Sequence, residues 1–256
     1  MKLLPPSASI PLSLLLFATS YAQKPTASEN KHRVDTSKLQ DGDLVFIRSH
    51  SGNAKAISDV THSDFTHCGI VFNENGIWRV REGAGRHTDY VDLNQWQDKE
   101  STDYKTKKIG KYEPISVRRL IASKTWSNEE RTKNIKKLRD EAQKLHETYY
   151  DSGFAWNNHY VVQNGKDQFS PNANDKEYVY CSELIYKTFD RALGVKLGDL
   201  KTIGNYTLTD EAKTILNYPR GMECRGNKHY SLDEQVISPQ DVYTSQFLES
   251  VNVETP

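Results

Sequence analysis

Two residues with complementary acid–base chemistry, His67 and Glu82, are predicted to meet across a β-hairpin formed by Thr66–Phe72 and Ile77–Glu82. If residues 73–76 form the loop, His67 lies directly opposite Glu82. If 75 and 76 alone form a two-residue turn, the two become diagonal neighbours. Both registers keep imidazole and carboxylate on one face of the hairpin, because side chains alternate with a period of two. The pattern therefore predicts a hydrogen bond between the two side chains.

A potential nucleophile, Cys181, opens a predicted helix over Cys181–Leu193, which has Glu183 in its first turn and Gly194 as its stop. Free N–H groups and the helix dipole stabilise a thiolate at that position and lower its pKa. A histidine fixed by a carboxylate can take the proton of such a cysteine and later protonate the leaving group. The backbone N–H of Cys181 can also help to stabilise an oxyanion. We therefore expect a catalytic site in which His67 is the base and Glu82 orients it.

The chain has three cysteines, Cys68, Cys181 and Cys224. An odd number leaves at least one thiol unpaired in an oxidising compartment. Cys68 alternates with His67 along the strand and should point to the opposite face, so it is interpreted as core packing. The sequence does not decide whether Cys68 pairs with Cys224.

The first 22 residues have the features of a secretory signal peptide, with Lys2 as the basic start, an apolar stretch over 10–17 and the small-x-small site Ser20-Tyr21-Ala22. We expect cleavage after Ala22 and a periplasmic or secreted protein. The alternative is a membrane anchor, but the apolar stretch is too short to span a bilayer, so stable membrane insertion is not expected.

The rest of the chain is expected to form a flexible lead-in over 23–38 and one domain over 39–256. Its 34 basic residues equal its 34 acidic residues, which argues against nucleic acid as a partner. The oligomeric state is left open.

Further elements are predicted from apolar periodicity and turn residues. The strands are Leu44–Arg48, His87–Leu93 and Ile115–Leu120; the helices are Ala54–Val60, 128–148 (with Ser127 and Glu130 as a capping box), 209–216 and 239–246. The aromatic-rich segment 151–177 is predicted to be a substrate-facing loop. Within and beside it, the candidate substrate-binding residues are Trp156, Tyr160, Tyr180 and Ser182.

Several motifs resemble the circularly permuted papain-like, NlpC-type cysteine hydrolases of the YiiX/YebB-like group, in which histidine precedes cysteine. They are Gly42–Phe46, Thr66–Val71, Glu82, Tyr180–Leu184 and Ile237–Asp241. The resemblance implies an α+β fold with an antiparallel sheet packed against helices. It also implies Cys181 as nucleophile, His67 as base, Glu82 as the third polar residue, and no cofactor. Together with the expected export, it favours an amide bond in peptidoglycan peptides as the substrate.

Three other interpretations remain open. A lipid-directed acyl hydrolase or acyltransferase would use the same cysteine chemistry on an acyl substrate. A non-catalytic binding module of the same fold is disfavoured because all three polar residues are retained. A metal site drawn from His50, His62, Asp64, His67 and Cys68 is disfavoured because no C-x-x-C or H-E-x-x-H pattern accompanies them, so no metal is expected.

Overall fold

Segments with alternating apolar residues form one long sheet in a computed structural model of the chain, which describes residues 33–49, 52–84, 87–97, 100–102, 109–111, 115–146, 149–150, 160–163, 166–169, 178–210, 213 and 232–253. The strands are β1 (Leu44–Ile47), β2 (His67–Glu74), β3 (Ile77–Ala84), β4 (His87–Asp92), β5 (Glu100–Thr102), β6 (Ile109–Lys111), β7 (Ile115–Leu120), β8 (Tyr149–Tyr150), β9 (Tyr160–Gln163), β10 (Lys166–Phe169), β11 (Tyr178–Val179), β12 (Lys201–Thr202), β13 (Gln235–Val236) and β14 (Leu248–Val251).

The helices are α1 (Gly52–Thr61), α2 (Leu93–Gln97), α3 (Asn128–His146), α4 (Cys181–Leu193) and α5 (Pro239–Tyr243), with short 3₁₀ turns at Thr36–Lys38, Ile121–Thr125 and Ile203–Asn205. In the described residues the main sheet has the order β11-β8-β4-β3-β2-β1-β7-β14. Its strand pairs are antiparallel except for β11 with β8 at one edge. The α+β class and the antiparallel sheet packed against helices are confirmed.

The β2–β3 hairpin adopts the second of the two predicted registers. Asn75 and Gly76 both have positive φ, 53° and 87°, as a two-residue type I′ turn requires. Ile70 accordingly pairs with Arg81. This register makes His67 and Glu82 diagonal neighbours on one face.

Each face of the sheet carries its own core. On one face α4 packs against β2 and β3, and α3 packs against α4 and β4. The buried side chains of this face include Phe46, Cys68, Ile70, Leu138 and Leu184. On the other face the side chains of Val45, Val71, Val80 and Val117 pack against Leu93 and Trp96 of α2. His67 and Glu82 belong to the α2 face, because they alternate with Cys68 and Arg81.

The helix predicted over 128–148 is confirmed as α3, which ends at His146. Its capping box is present: Ser127 Oγ accepts a hydrogen bond from the N–H of Glu130 at 3.2 Å, and the Glu130 carboxylate accepts one from the N–H of Ser127 at 2.8 Å. The helix predicted over Cys181–Leu193 is also confirmed, and Gly194 ends it with a φ of 69°.

Two predicted segments differ from the structure. Within the lead-in predicted over 23–38, Val34 is buried and its N–H donates a 2.7 Å hydrogen bond to Gln97 Oε1, whereas residues 23–32 lie outside the described residues. The segment 151–177, predicted as a loop, contains a hairpin of β9 and β10. Short apolar runs give too little periodicity to separate such a hairpin from a loop.

Other boundaries moved by a few residues. Leu93 begins α2 instead of ending β4, and α5 spans five residues where 239–246 was expected. The helix predicted over 209–216 lies mostly outside the described residues.

Candidate active site

The carboxylate of Glu82 is fully buried and forms hydrogen bonds with two side chains. Its Oε2 atom hydrogen bonds with His67 Nε2 and accepts a second hydrogen bond, 2.5 Å long, from Trp96 Nε1. The indole ring also lies beside the imidazole, with ring centroids 6.2 Å apart and an interplanar angle of 34°. Both rotation of the imidazole and displacement of the carboxylate are therefore restricted.

Cys181 reaches this pair because α4 begins directly on the sheet at Gly83. A Cβ atom at Gly83 would stand 2.9 Å from the carbonyl carbon of Tyr180 and 3.0 Å from the backbone N of Cys181. Such distances are too short for any side chain against backbone, so glycine lets the helix N-terminus approach the strand. The strand, the glycine and the helix start together fix where the sulfur lies.

The Sγ of Cys181 lies close enough to the side chains of both His67 and Cys68 to interact with them. His67 is the first residue of β2, so its ring meets the sulfur at the end of the strand although it belongs to the other face of the sheet. Since Nε2 is engaged by Glu82, the ring nitrogen left for Cys181 is Nδ1. The imidazole thus bridges the carboxylate and the sulfur.

Charges around the sulfur favour an ion pair at rest. A hydrogen bond from the Cys68 thiol lowers the pKa of Cys181; burial opposes this, but the positive charge of His67 reinforces it, and the pKa lies well below its ordinary value. Burial alone would lower the pKa of His67, but the charges of Cys181 and Glu82 and hydrogen bonds to both raise it to about 10. These shifts favour a thiolate beside an imidazolium over a neutral pair.

His67 and Cys181 differ in their exposure to solvent. The side chain of His67 is 17% exposed, whereas Cys181 is 3% exposed. Of the two, the imidazole is therefore the more accessible group.

The other predicted site residues lie in different surroundings. Tyr180 and Ser182 are buried, and their hydroxyl groups hold the segment before α5: Tyr180 Oη accepts a 2.9 Å hydrogen bond from the N–H of Ile237, and Ser182 Oγ donates a 2.8 Å bond to its carbonyl. Substrate binding by these two residues stays a prediction. Tyr160 begins β9, its side chain is outside the described part of the structure, and Trp156 lies outside the described residues.

Three contributors to the geometry were missed or interpreted differently from the sequence: Trp96, Gly83 and Cys68. Cys68 does point away from His67 into the core, as expected, but α4 packs on that same face and brings Cys181 to it. A tryptophan near the end of a strand and a glycine within one are common features, so neither gave a distinct signal. The residues that these three contact in the site are distant in sequence, so tertiary packing sets the contacts.

Among the residues that the structure describes, no group of three or more histidine, cysteine or acidic side chains is arranged to hold a metal ion. Of the cluster considered above, His50 lies outside these residues, and Asp64 pairs with Arg48 at 2.9 Å. No helix in the same part of the chain is long and apolar enough to cross a membrane.

Comparison with known proteins connects this geometry to a family. The sequence profile of the permuted papain-like amidase enzymes, YaeF/YiiX, C92 family, matches residues 38–252. The chain belongs to this family. Membership establishes the circularly permuted papain-like fold and an amide hydrolase of the cysteine peptidase and amidase type.

Two similar proteins from Escherichia coli cover nearly the whole chain. The uncharacterized protein YiiX of strain K12 is 27% identical over 248 residues, which are 96% of this chain and 95% of that protein. The crystal structure of "metalloprotein yiiX" from O157:H7 superposes with a TM-score of 0.61 at 28% identity and covers 86% of this chain and 99% of its own. The word metalloprotein is said of that protein alone.

Proposed function

We propose that the protein hydrolyses an amide bond with Cys181 as nucleophile, His67 as general acid and base, and Glu82 as the group that orients His67. The observation that carries the proposal is the contact of the Cys181 sulfur with an imidazole that a buried carboxylate holds from its other side. A thiolate beside an imidazolium is ready to react without a prior proton transfer.

Acylation begins when the Cys181 thiolate attacks the carbonyl carbon of the amide. Cys181 is the first residue of α4, and the first N–H groups of a helix have no acceptor within it, so the backbone N–H of Cys181 would stabilise the oxyanion. His67 then gives its proton to the leaving nitrogen as the C–N bond breaks, which leaves a thioester on Cys181 and a free amine.

Deacylation uses the same groups in the reverse roles. The neutral imidazole takes a proton from a water molecule as its oxygen attacks the thioester carbon. The C–S bond breaks, a carboxylic acid is released, and the thiolate–imidazolium pair is restored. Glu82 keeps the imidazole in position through both half-reactions because its other hydrogen bond, to Trp96, fixes the carboxylate.

Peptide amide bonds of peptidoglycan are the substrate that we propose, in an exported protein. Support comes from the amidase family and from the signal-like sequence of residues 1–22. The test is incubation of the protein with purified muropeptides, followed by mass spectrometry for a new amine and a new carboxylate. Cys181→Ala is the matched inactive control.

Each outcome has a definite meaning. Muropeptide cleavage that C181A abolishes supports the proposal. Release of a fatty acid from a lipid amide or ester, with muropeptides left intact, would replace the peptide substrate by the lipid alternative and keep the chemistry. A Cys181 thiol that is no more reactive than an ordinary cysteine would favour a binding module and overturn the hydrolase mechanism.

A further inference from the structure

A second thiol lies against the proposed nucleophile. Cys68 and Cys181 are both buried in the core that α4 forms with the sheet, and both thiols are free. The β2–β3 pairing ends at Ile70 and Arg81, and Cys68 and Gly83 each lie two residues beyond that pair on their strands. The Cβ position of Gly83 is 3.0 Å from the backbone N of Cys181, and α4 packs against both β2 and β3. The backbone therefore places Cys68 and Cys181 close to each other.

Cys68 also acts electrostatically on the Cys181 sulfur. Its thiol and its backbone N–H both lower the pKa of Cys181. Burial raises the pKa of Cys68, and its contact with Cys181 raises it further, well above its ordinary value. Cys68 thus keeps its proton and is the donor, while Cys181 is the acceptor.

We propose that Cys68 is a positioning residue, whose thiol donates a hydrogen bond that holds the Cys181 sulfur as an anion next to His67. The inference rests on the proposed role of Cys181 as nucleophile. An aliphatic side chain of similar size would fill the same space without donating, so a role in packing alone and a role as donor predict different behaviour of the nucleophile.

The charged and titratable groups around this sulfur come from three elements. β2 contributes His67 and Cys68, and β3 contributes Glu82. Within α4 itself, Glu183 forms an ion pair with Lys187 at 2.6 Å. Substituting Cys68 leaves every charged group in this set in place.

The test measures the rate of Cys181 alkylation by iodoacetamide as a function of pH, with mass spectrometry of the Cys181 peptide to separate it from the other cysteines. We expect Cys68→Val to raise the apparent pKa of Cys181 by about one to two units, which is roughly a 10- to 100-fold loss of thiolate at a pH below both values. Cys68→Ser keeps a donor and should recover much of the wild-type profile. Ile70→Val, which trims a neighbouring core residue on the same face of β2, should leave the profile unchanged.

The outcomes separate this inference from the proposed function. A low wild-type pKa that Cys68→Val leaves unchanged overturns the role of Cys68 and leaves the nucleophile intact. An ordinary wild-type pKa overturns both. Should Cys68→Val fail to fold, Cys68→Ala decides in its place, because it also lacks a donor and avoids crowding.

Discussion

At the residue scale, the state of His67 depends on two anions that lie on either side of its ring. Glu82 and the Cys181 thiolate both stabilise the imidazolium, and together they raise its pKa to about 10. A group with a raised pKa stays protonated until the pH passes that higher value. His67 should therefore remain an acid throughout the neutral range and lose this role only in strongly alkaline solution.

Replacing Glu82 by Gln tests this electrostatic account. The substitution removes one of the two anions, so the pKa of His67 should fall by about 1–3 units. NMR titration of the imidazole carbon-bound protons measures the change directly. An unchanged pKa in E82Q would show that the carboxylate does not stabilise the imidazolium.

Trp96→Phe is the matched control for that experiment. It removes a donor to Glu82 but leaves the negative charge, so the pKa of His67 should change little. Its effect should instead be a loss of activity of about 10–100-fold, because the carboxylate is less well fixed. Thermal unfolding followed by circular dichroism, which does not depend on tryptophan fluorescence, would show how far the substitution affects the fold.

At the element scale, the meeting of α4 with β3 at Gly83 sets the position of the sulfur. A methyl group there would collide with backbone atoms of Tyr180 and Cys181, which cannot rotate away. We expect Gly83→Ala to shift the helix start, to destabilise the protein by about 1–3 kcal/mol, and to slow Cys181 alkylation strongly.

Gly76→Ala provides a comparison at a similar cost in stability. Gly76 has a φ of 87° and open space around its Cβ position, so alanine strains the turn without touching α4. Alkylation of Cys181 should remain as in the wild type. Equal loss of reactivity in both variants would mean that global stability, and not the position of the helix, controls the thiolate.

The hydroxyl groups on both sides of Cys181 tie α4 to the segment before α5. Removing either one, by Tyr180→Phe or Ser182→Ala, should cost about 1 kcal/mol of unfolding free energy and leave KM for the substrate nearly unchanged. Chemical denaturation and steady-state kinetics measure the two quantities. A raised KM with unchanged stability would instead support the prediction that these residues bind substrate.

At the scale of the whole molecule, the predicted signal peptide can be tested on the intact protein. Expression in a bacterial host followed by mass analysis of the exported fraction should give a chain that starts at Gln23, because the small-x-small site ends at Ala22. A protein that keeps residues 1–22 and stays inside the cell would contradict the prediction.

Local sequence patterns were sufficient to predict several secondary-structure elements and one pair of residues in the candidate site. The periodicity of α3 and α4 and the turn at Asn75 and Gly76 predicted the elements, and the alternation of side chains placed His67 with Glu82. The approach of Cys181 to Cys68 could not be predicted from local sequence patterns. It depends on which face of the sheet α4 covers, and that choice follows from the packing of distant segments.

Ile237 follows Cys181 in the chain and contacts the residues on both sides of it, so the surroundings of the sulfur are completed only after Ile237 is in place. A chain still emerging from the ribosome has its histidine and carboxylate long before it has the segment that anchors the start of α4. Products of translation that stop before Ile237 therefore lack the contacts that anchor the reactive cysteine.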